Sequence, residues 1–245
     1  MNNTKKIKWK PGNMIYPLPA IMVSCGDREI NNIVTVGWTG TICTNPAMTY
    51  ISLRTSRFSY DIIKKTGYFV INLTTKDLAY ATDLCGVKSG RDVDKFKEAK
   101  LTPTYDEETG CVMIEESPVS IVCKTVEIKE LGSHHMFIAN VISVNIDKKY
   151  LDEEEKFNLN KSELIAYSHG KYFGIGEEIG GFGYSVKKVK PKKTPVGKKN
   201  IKNSGSSKGS SCTRDKNNPK VKNTKDNKIN NKSKNKARSI KNKGL

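Results

Sequence analysis

The strongest constraint on the fold is a period of two. Six runs alternate or concentrate β-branched and aromatic residues over strand length: "AIMVSCG" (20–26), "NIVTVGW" (32–38), "MTYISLR" (48–54), "YFVINL" (68–73), "VSIVCKTVEIKEL" (119–131) and "HHMFIANVISVNI" (134–146). Such runs read as half-buried or fully buried strands. The last two are joined through "LGSH", a hairpin turn by its length and its glycine. Six or more strands in one compact unit predict a closed or nearly closed barrel, because closure removes unpaired edges.

Helices are fewer. "SRFSYDIIKKTG" offers Ser56 or Ser59 as N-cap, Asp61 in the first turn, Lys64 and Lys65 in the last, and Gly67 at the C′ position. "KDLAYATDLCG" (76–86) reads as a second helix closed by Gly86, and "RDVDKFKEA" (91–99) as a short third. The expected class is therefore mainly β (α+β), a barrel with a few inserted helices.

Charge divides the chain. Of its 43 Lys+Arg, 21 lie from Lys187 onward, where Asp215 and Asp226 are the only acidic residues; residues 1–186 hold 22 basic and 23 acidic side chains. The chain's pI near 9.5 thus describes its end and not its front. Residues 187–245 have no aromatic and few aliphatic side chains, too little apolar surface to offset the entropy of ordering. The expected organisation is a folded domain over 1–186 and a disordered Lys/Asn-rich basic tail over 187–245. Such a tail attracts nucleic acid or another polyanion by counterion release, or is a solvated low-complexity extension.

"MNNTKKIKWKPGNM" lacks the apolar core of a signal peptide, and no stretch approaches the ~18 apolar residues of a membrane span. A cytoplasmic protein without a membrane span is expected. Six cysteines (25, 43, 85, 111, 123, 212) form no C-x-x-C pair, and histidines occur only at 134, 135 and 169. No metal-ligand spacing follows, and the cysteines read as reduced thiols, Cys43 the one to watch.

Two segments carry candidate chemistry. In "TSRFSYDIIKKTG" (55–67), Ser56, Arg57 and Ser59, with Arg54 just before, converge on a helix start, where free N–H groups and a partial positive charge already favour an anion. The segment is either a capped helix with surface charge or a phosphate cup. In "VTVGWTGTICTNPAM" (34–48), a strand ends in Gly37, Thr39, Gly40 and Thr41, whose backbone can approach a flat ligand, before Asn45-Pro46 turns the chain. A strand end with a bulge explains the same residues.

Five ordered pieces carry a resemblance: "YPLPAIMVS", "TVGWTGTICTNPAMTYISLRTSRFSYDIIKKTGYFVINL", "CGVKSGRDVDKFKEAKLTP", "ELGSHHMFIANV" and "GIGEEIGGFGYSV". Over about 12–185 the chain resembles the flavin reductase-like family, the FMN-binding split barrels, and within it flavoredoxin-type proteins. The resemblance implies FMN with its ring against Trp38, Thr39, Gly40, Thr41, Ile42 and Cys43, and its phosphate at Arg54, Ser56, Arg57 and Ser59. It adds Ser89, Arg91 and Lys95 as polar contacts, and puts His134 near the flavin, with a strand-end histidine at a hairpin as the equal alternative. Where the family often has Gly-Glu this chain has Ala139-Asn140, so no role for that acid carries over. A homodimer is implied.

Flavin chemistry asks little of side chains, because the cofactor transfers the electrons and the protein binds and orients it. With no G-x-G-x-x-G between strand and helix, NAD(P)H as reductant would stack on the exposed ring without its own domain, and a donor or acceptor protein would serve equally. The expected function is an FMN-dependent oxidoreductase of the flavin reductase/flavoredoxin type; the alternative is a polyanion-binding protein with the barrel as scaffold.

Overall fold

The computed structural model describes residues 5–187, and the remainder of the basic tail expected above lies outside the described residues. The strands are β1 (Leu18–Pro19), β2 (Ile21–Gly26), β3 (Asn31–Val36), β4 (Thr39–Thr44), β5 (Ala47–Leu53), β6 (Tyr68–Asn72), β7 (Pro103–Tyr105), β8 (Val112–Ile114), β9 (Val119–Leu131), β10 (His134–Ile146), β11 (Ile165–Ser168) and β12 (Lys171–Gly174). The α-helices are α1 (Phe58–Thr66), α2 (Ala79–Val87) and α3 (Lys95–Glu98). Seven strands make one sheet, antiparallel throughout, in the order β3-β2-β6-β9-β10-β5-β4.

All six residues of β2 are buried, because both faces of that strand are covered. Ile21, Val23 and Cys25 join Val34, Val36, Ile51, Phe69 and Phe137 in one core, closed by Ile62 and Ile63 of α1. Met22 points into a second core with Ile33, Leu84 of α2, Phe96 of α3 and Val112 and Ile114 of β8. Each large side chain so buried contributes about 1.5–3 kcal/mol. One polar hub crosses the packing. Asn72 Nδ2 donates to Met22 O and Ser24 Oγ at 3.1 and 2.9 Å, while its Oδ1 accepts from Ile114 N–H and Ser120 Oγ at 3.2 and 2.8 Å. That linkage fixes β6 against β2, β8 and β9.

Several expectations are corrected. Thr39–Thr44, read as a strand end and turn, is itself the edge strand β4, hairpinned onto β5 with a register shift between Thr41 and Cys43. Gly86 lies inside α2 and does not close it; the helix ends at Val87 and is capped by Lys88, whose N–H donates to Leu84 O. A Cβ at position 86 would lie 3.2 Å from Thr35 Cβ, a tight contact, so the packing of α2 against β3 favours glycine there. α3 is one turn, since Asp94 caps it by accepting from Lys97 N–H and leaves 91–94 as loop. α1 starts at Phe58 with Arg57 as N-cap and no side-chain cap, so neither Ser56 nor Ser59 has the capping role.

The hairpin β11–β12, also absent from the strand reading, pairs with β1 in a separate three-stranded sheet. Its two-residue loop is His169-Gly170, both with positive φ (46° and 81°), the geometry that suits the twist of a tight hairpin. Among the described residues no helix is long and apolar enough to cross a membrane.

Candidate functional site

The end of β5, the start of α1, the end of α2 and the loop before α3 meet at two adjoining cavities. The smaller, of about 360 Å³, is lined by four cations, Arg54, Arg57, Lys88 and Lys95, and by Ser56 and Ser89; no carboxylate lines it. Surplus positive charge with hydroxyl donors in a concave space suits an anion.

Each side chain is placed by a local cause. At the N-cap of α1, Arg57 extends its guanidinium to donate to Gly86 O at 3.1 Å, bridging α1 and α2. In the loop, Arg91 donates to Ser56 O at 3.0 Å, its guanidinium carbon 5.4 Å from the Phe58 ring centre, and so steadies the turn that carries Ser56. Ser89 Oγ accepts from Arg91 N–H at 3.2 Å, which folds the loop back on itself.

Lys95 is nearly fully buried and donates to Ile33 O and Cys85 O, both at 2.7 Å. Burial lowers its pKa from the ordinary lysine value, and the Arg57 charge acts in the same direction. An ammonium has three donors, and these two carbonyls take two. Burial likewise pushes the neighbouring Cys85 thiol up to about 11, so it is a neutral packing group there.

The larger cavity, about 380 Å³, shares Val34, Arg54 and Arg57 with the first. Leu18, Ala20, Val36 and Leu53 give it apolar walls. Trp38 and His134 lie against each other at the lining, ring centres 4.3 Å apart and tilted 45°, and Tyr167 and Tyr172 form an edge-on pair at 5.3 Å. Burial lowers the His134 pKa below 6.5, and Arg54 and Arg57 lower it further, so its imidazole is neutral at neutral pH. Its Nδ1 pairs with Ser133 Oγ at 2.9 Å. A donor-rich cup continuous with an aromatic and aliphatic slot suits a ligand that is anionic at one end and flat at the other.

The structure brings Trp38, Arg54, Ser56, Arg57, Ser89, Lys95 and His134 to this pair of cavities. Ser59 is placed elsewhere: it is fully buried beneath the cup, its Oγ accepting from Asn32 Nδ2 at 2.8 Å, because the second residue of α1 faces the core. Arg91 lines the outer side of the loop, in a neighbouring groove. Thr39 donates to Tyr50 O at 2.7 Å, and Gly40 O accepts from Thr49 Oγ1 at 2.9 Å. Gly40, Thr41, Ile42 and Cys43 follow the edge strand away from both cavity linings, with the Cys43 thiol donating to Pro46 O at 2.9 Å. Lys88, Asp83, Tyr167 and Tyr172 line the cavities without having been anticipated. The "AYSHGKYFG" stretch, aromatics alternating around His-Gly, was the signal for the last two.

Among the described residues no group of acidic, cysteine and histidine side chains could hold a metal ion. The flavin reductase like domain model matches residues 14–176. The chain belongs to the flavin reductase-like family. Flavoredoxin of Desulfovibrio vulgaris (Miyazaki F) is 26% identical, superposes with a TM-score of 0.68 and matches 74% of this chain and 100% of its own. Flavoredoxin from Methanosarcina acetivorans is 25% identical at a TM-score of 0.68, over 75% of this chain and 100% of that one. The FMN-binding protein from Thermus thermophilus, at 22% identity and a TM-score of 0.61 over 74% and 99% of the two chains, shares the fold. The mainly β architecture with few helices is thus that of flavin reductase-like split barrels.

Proposed function

We propose that the chain is an FMN-dependent oxidoreductase of the flavin reductase/flavoredoxin type. The observation that carries this reading is the cup at Ser56, Arg57, Ser89 and Lys95, with four cations and no carboxylate, opening beside a slot lined by Trp38 and His134. Flavin mononucleotide has this polarity, with a phosphate at one end and a flat ring at the other. Arg54 and Arg57, shared by both cavities, would bind the phosphate and the ribityl side of the ring, with Ser56 and Ser89 donating hydroxyls and Lys95 its remaining N–H. Bound there, the flavin supplies hydride and single-electron transfer.

The protein's own part is positioning. Arg57 and Lys95 are held by backbone carbonyls before any ligand arrives, so little ordering is lost on binding. Neutral His134 can accept or donate one hydrogen bond at the slot without adding a third positive charge beside the two arginines. NAD(P)H or a donor protein would deliver electrons at the open side of the slot, and an acceptor would collect them there. A cytoplasmic homodimer belongs to the same reading. Beyond Asn140, β10 has no β5 partner, and Ile142, Val144 and Ile146 on that stretch are exposed apolar side chains suited to a second copy.

The test is the visible spectrum of the purified full-length protein, followed by anaerobic addition of NADH or NADPH. Bound flavin that bleaches supports the reading; a protein that carries none and gains none on addition of FMN overturns it. The surplus of basic residues from Lys187 onward supports a second role in polyanion binding. That role predicts nucleic-acid affinity that falls steeply with salt and is lost on deletion of 187–245.

A further inference from the structure

Part of the wall of the larger cavity does not belong to the seven-stranded sheet. Tyr167, Gly170 and Tyr172 come from the β11–β12 hairpin, while Asp83 comes from α2, and all four line the cavity. The hairpin is fixed at its base: Ile165 is buried, its N–H donates to Thr74 O at 3.1 Å, and Leu18 and Pro19 of β1 pair with Tyr167 and Ala166. On the β12 side, where Tyr172 lies opposite Tyr167, the tie to α2 is a side-chain contact. Tyr172 donates its hydroxyl to Asp83 Oδ1 at 3.2 Å, across to α2, and His169 at the loop lies on Tyr16, ring centres 4.5 Å apart.

We propose that the Tyr172–Asp83 hydrogen bond is a latch that holds the β11–β12 hairpin against α2 and sets how long a flavin stays in the cavity. The proposal rests on the flavin reading. Asp83 is the one carboxylate lining a cavity whose other charges are Arg54 and Arg57, so its placement serves the tyrosine and not an anionic ligand. Burial, with the adjacent carboxylate, pushes the Tyr172 phenol up to about 12, which keeps the donor protonated throughout the working range. The bond is solvent-exposed, and its loss acts on escape of a bound flavin more than on entry. Asp83 and Tyr172 are positioning residues in this account.

The experiment loads the full-length protein with FMN and follows dissociation after dilution by recovery of flavin fluorescence. Tyr172→Phe keeps the ring against Tyr167 but removes the donor; Asp83→Ala removes the acceptor. Each is expected to raise the dissociation rate about three- to tenfold, the scale of one charge-assisted hydrogen bond in partial contact with water. The double variant should be no faster than the faster single one, since both remove the same bond. Asp83→Asn, whose amide oxygen still accepts, should restore most of the slow rate. FMN bound with unchanged rates in Tyr172→Phe and Asp83→Ala overturns the latch alone. Absence of FMN binding by the unmodified chain overturns the flavin reading and the latch with it.

Discussion

Gly90→Ala tests how the anion cup is built. A Cβ on Gly90 would sit 2.1 Å from Asn32 Oδ1, 2.6 Å from its Cγ and 2.8 Å from Phe58 Cδ1. The Asn32 amide cannot simply rotate away, because its Nδ2 donates to Ser59 Oγ at 2.8 Å and both side chains are buried. Phe58 in turn lies under the Arg91 guanidinium that steadies Ser56. Overpacking of this kind costs about 1–3 kcal/mol, and a buried amide that loses its partner about 1–3 kcal/mol more. The expected loss is about 2–6 kcal/mol. For a domain of 150–250 residues each kcal/mol lowers the unfolding midpoint by about 2–4 °C, so a fall of roughly 4–24 °C follows. Scanning calorimetry on Gly90→Ala, Asn32→Ala and the double variant reads this directly. Because Asn32→Ala removes the obstructing amide, the double variant should lose less than the two singles combined, by about 1 kcal/mol or more. A midpoint for Gly90→Ala within about 2 °C of the parent, or strictly additive losses, would refute the reasoning.

Arg57→Ala removes a cation shared by both cavities, and FMN affinity should fall by about 10- to 100-fold in a fluorescence titration, the loss of one charged hydrogen bond of roughly 1.5–3 kcal/mol. Ser59→Ala, by contrast, should lower the unfolding midpoint through the stranded Asn32 amide while leaving a folded protein that still binds FMN; a large affinity loss without a stability loss would place Ser59 in the cup after all. His134 should titrate below 6.5 by NMR. The folded state then binds that proton more weakly than the unfolded one, so the contribution to stability is full above 6.5 and is lost as pH falls through the folded value. Arg54→Met should raise the midpoint only part of the way, because burial is the larger cause; an unchanged midpoint would contradict the charge contribution.

What could be read from sequence follows the strength of the local signal. β9 and β10 stand over 119–131 and 134–146 as their alternation implied, because long cross-strand runs leave few alternatives. β4 escaped because its threonines, glycine and cysteine carry no apolar alternation; it is a strand only because β5 pairs with it. Gly86 looked like a helix stop because its packing partner, Thr35, lies far away in sequence. The same limit applies to the site. Arg54, Ser56 and Arg57 lay in one short stretch whose residue types pointed to an anion, whereas Ser89 and Lys95 came only from the family resemblance. Ser59 could not be separated from its neighbours without knowing that α1 turns it onto Asn32. Asp83 and Tyr172 meet across 89 residues of sequence, a distance over which only the fold brings them together.

The most direct test of the central claim compares FMN with riboflavin, which has the same ring and ribityl chain but no phosphate. The full-length protein is titrated with each while flavin fluorescence is followed. A cup of four cations that receives the phosphate predicts that FMN binds at least about tenfold more tightly than riboflavin, and that the difference shrinks in Arg57→Ala. Equal affinity for the two flavins, or binding of neither, would contradict the account.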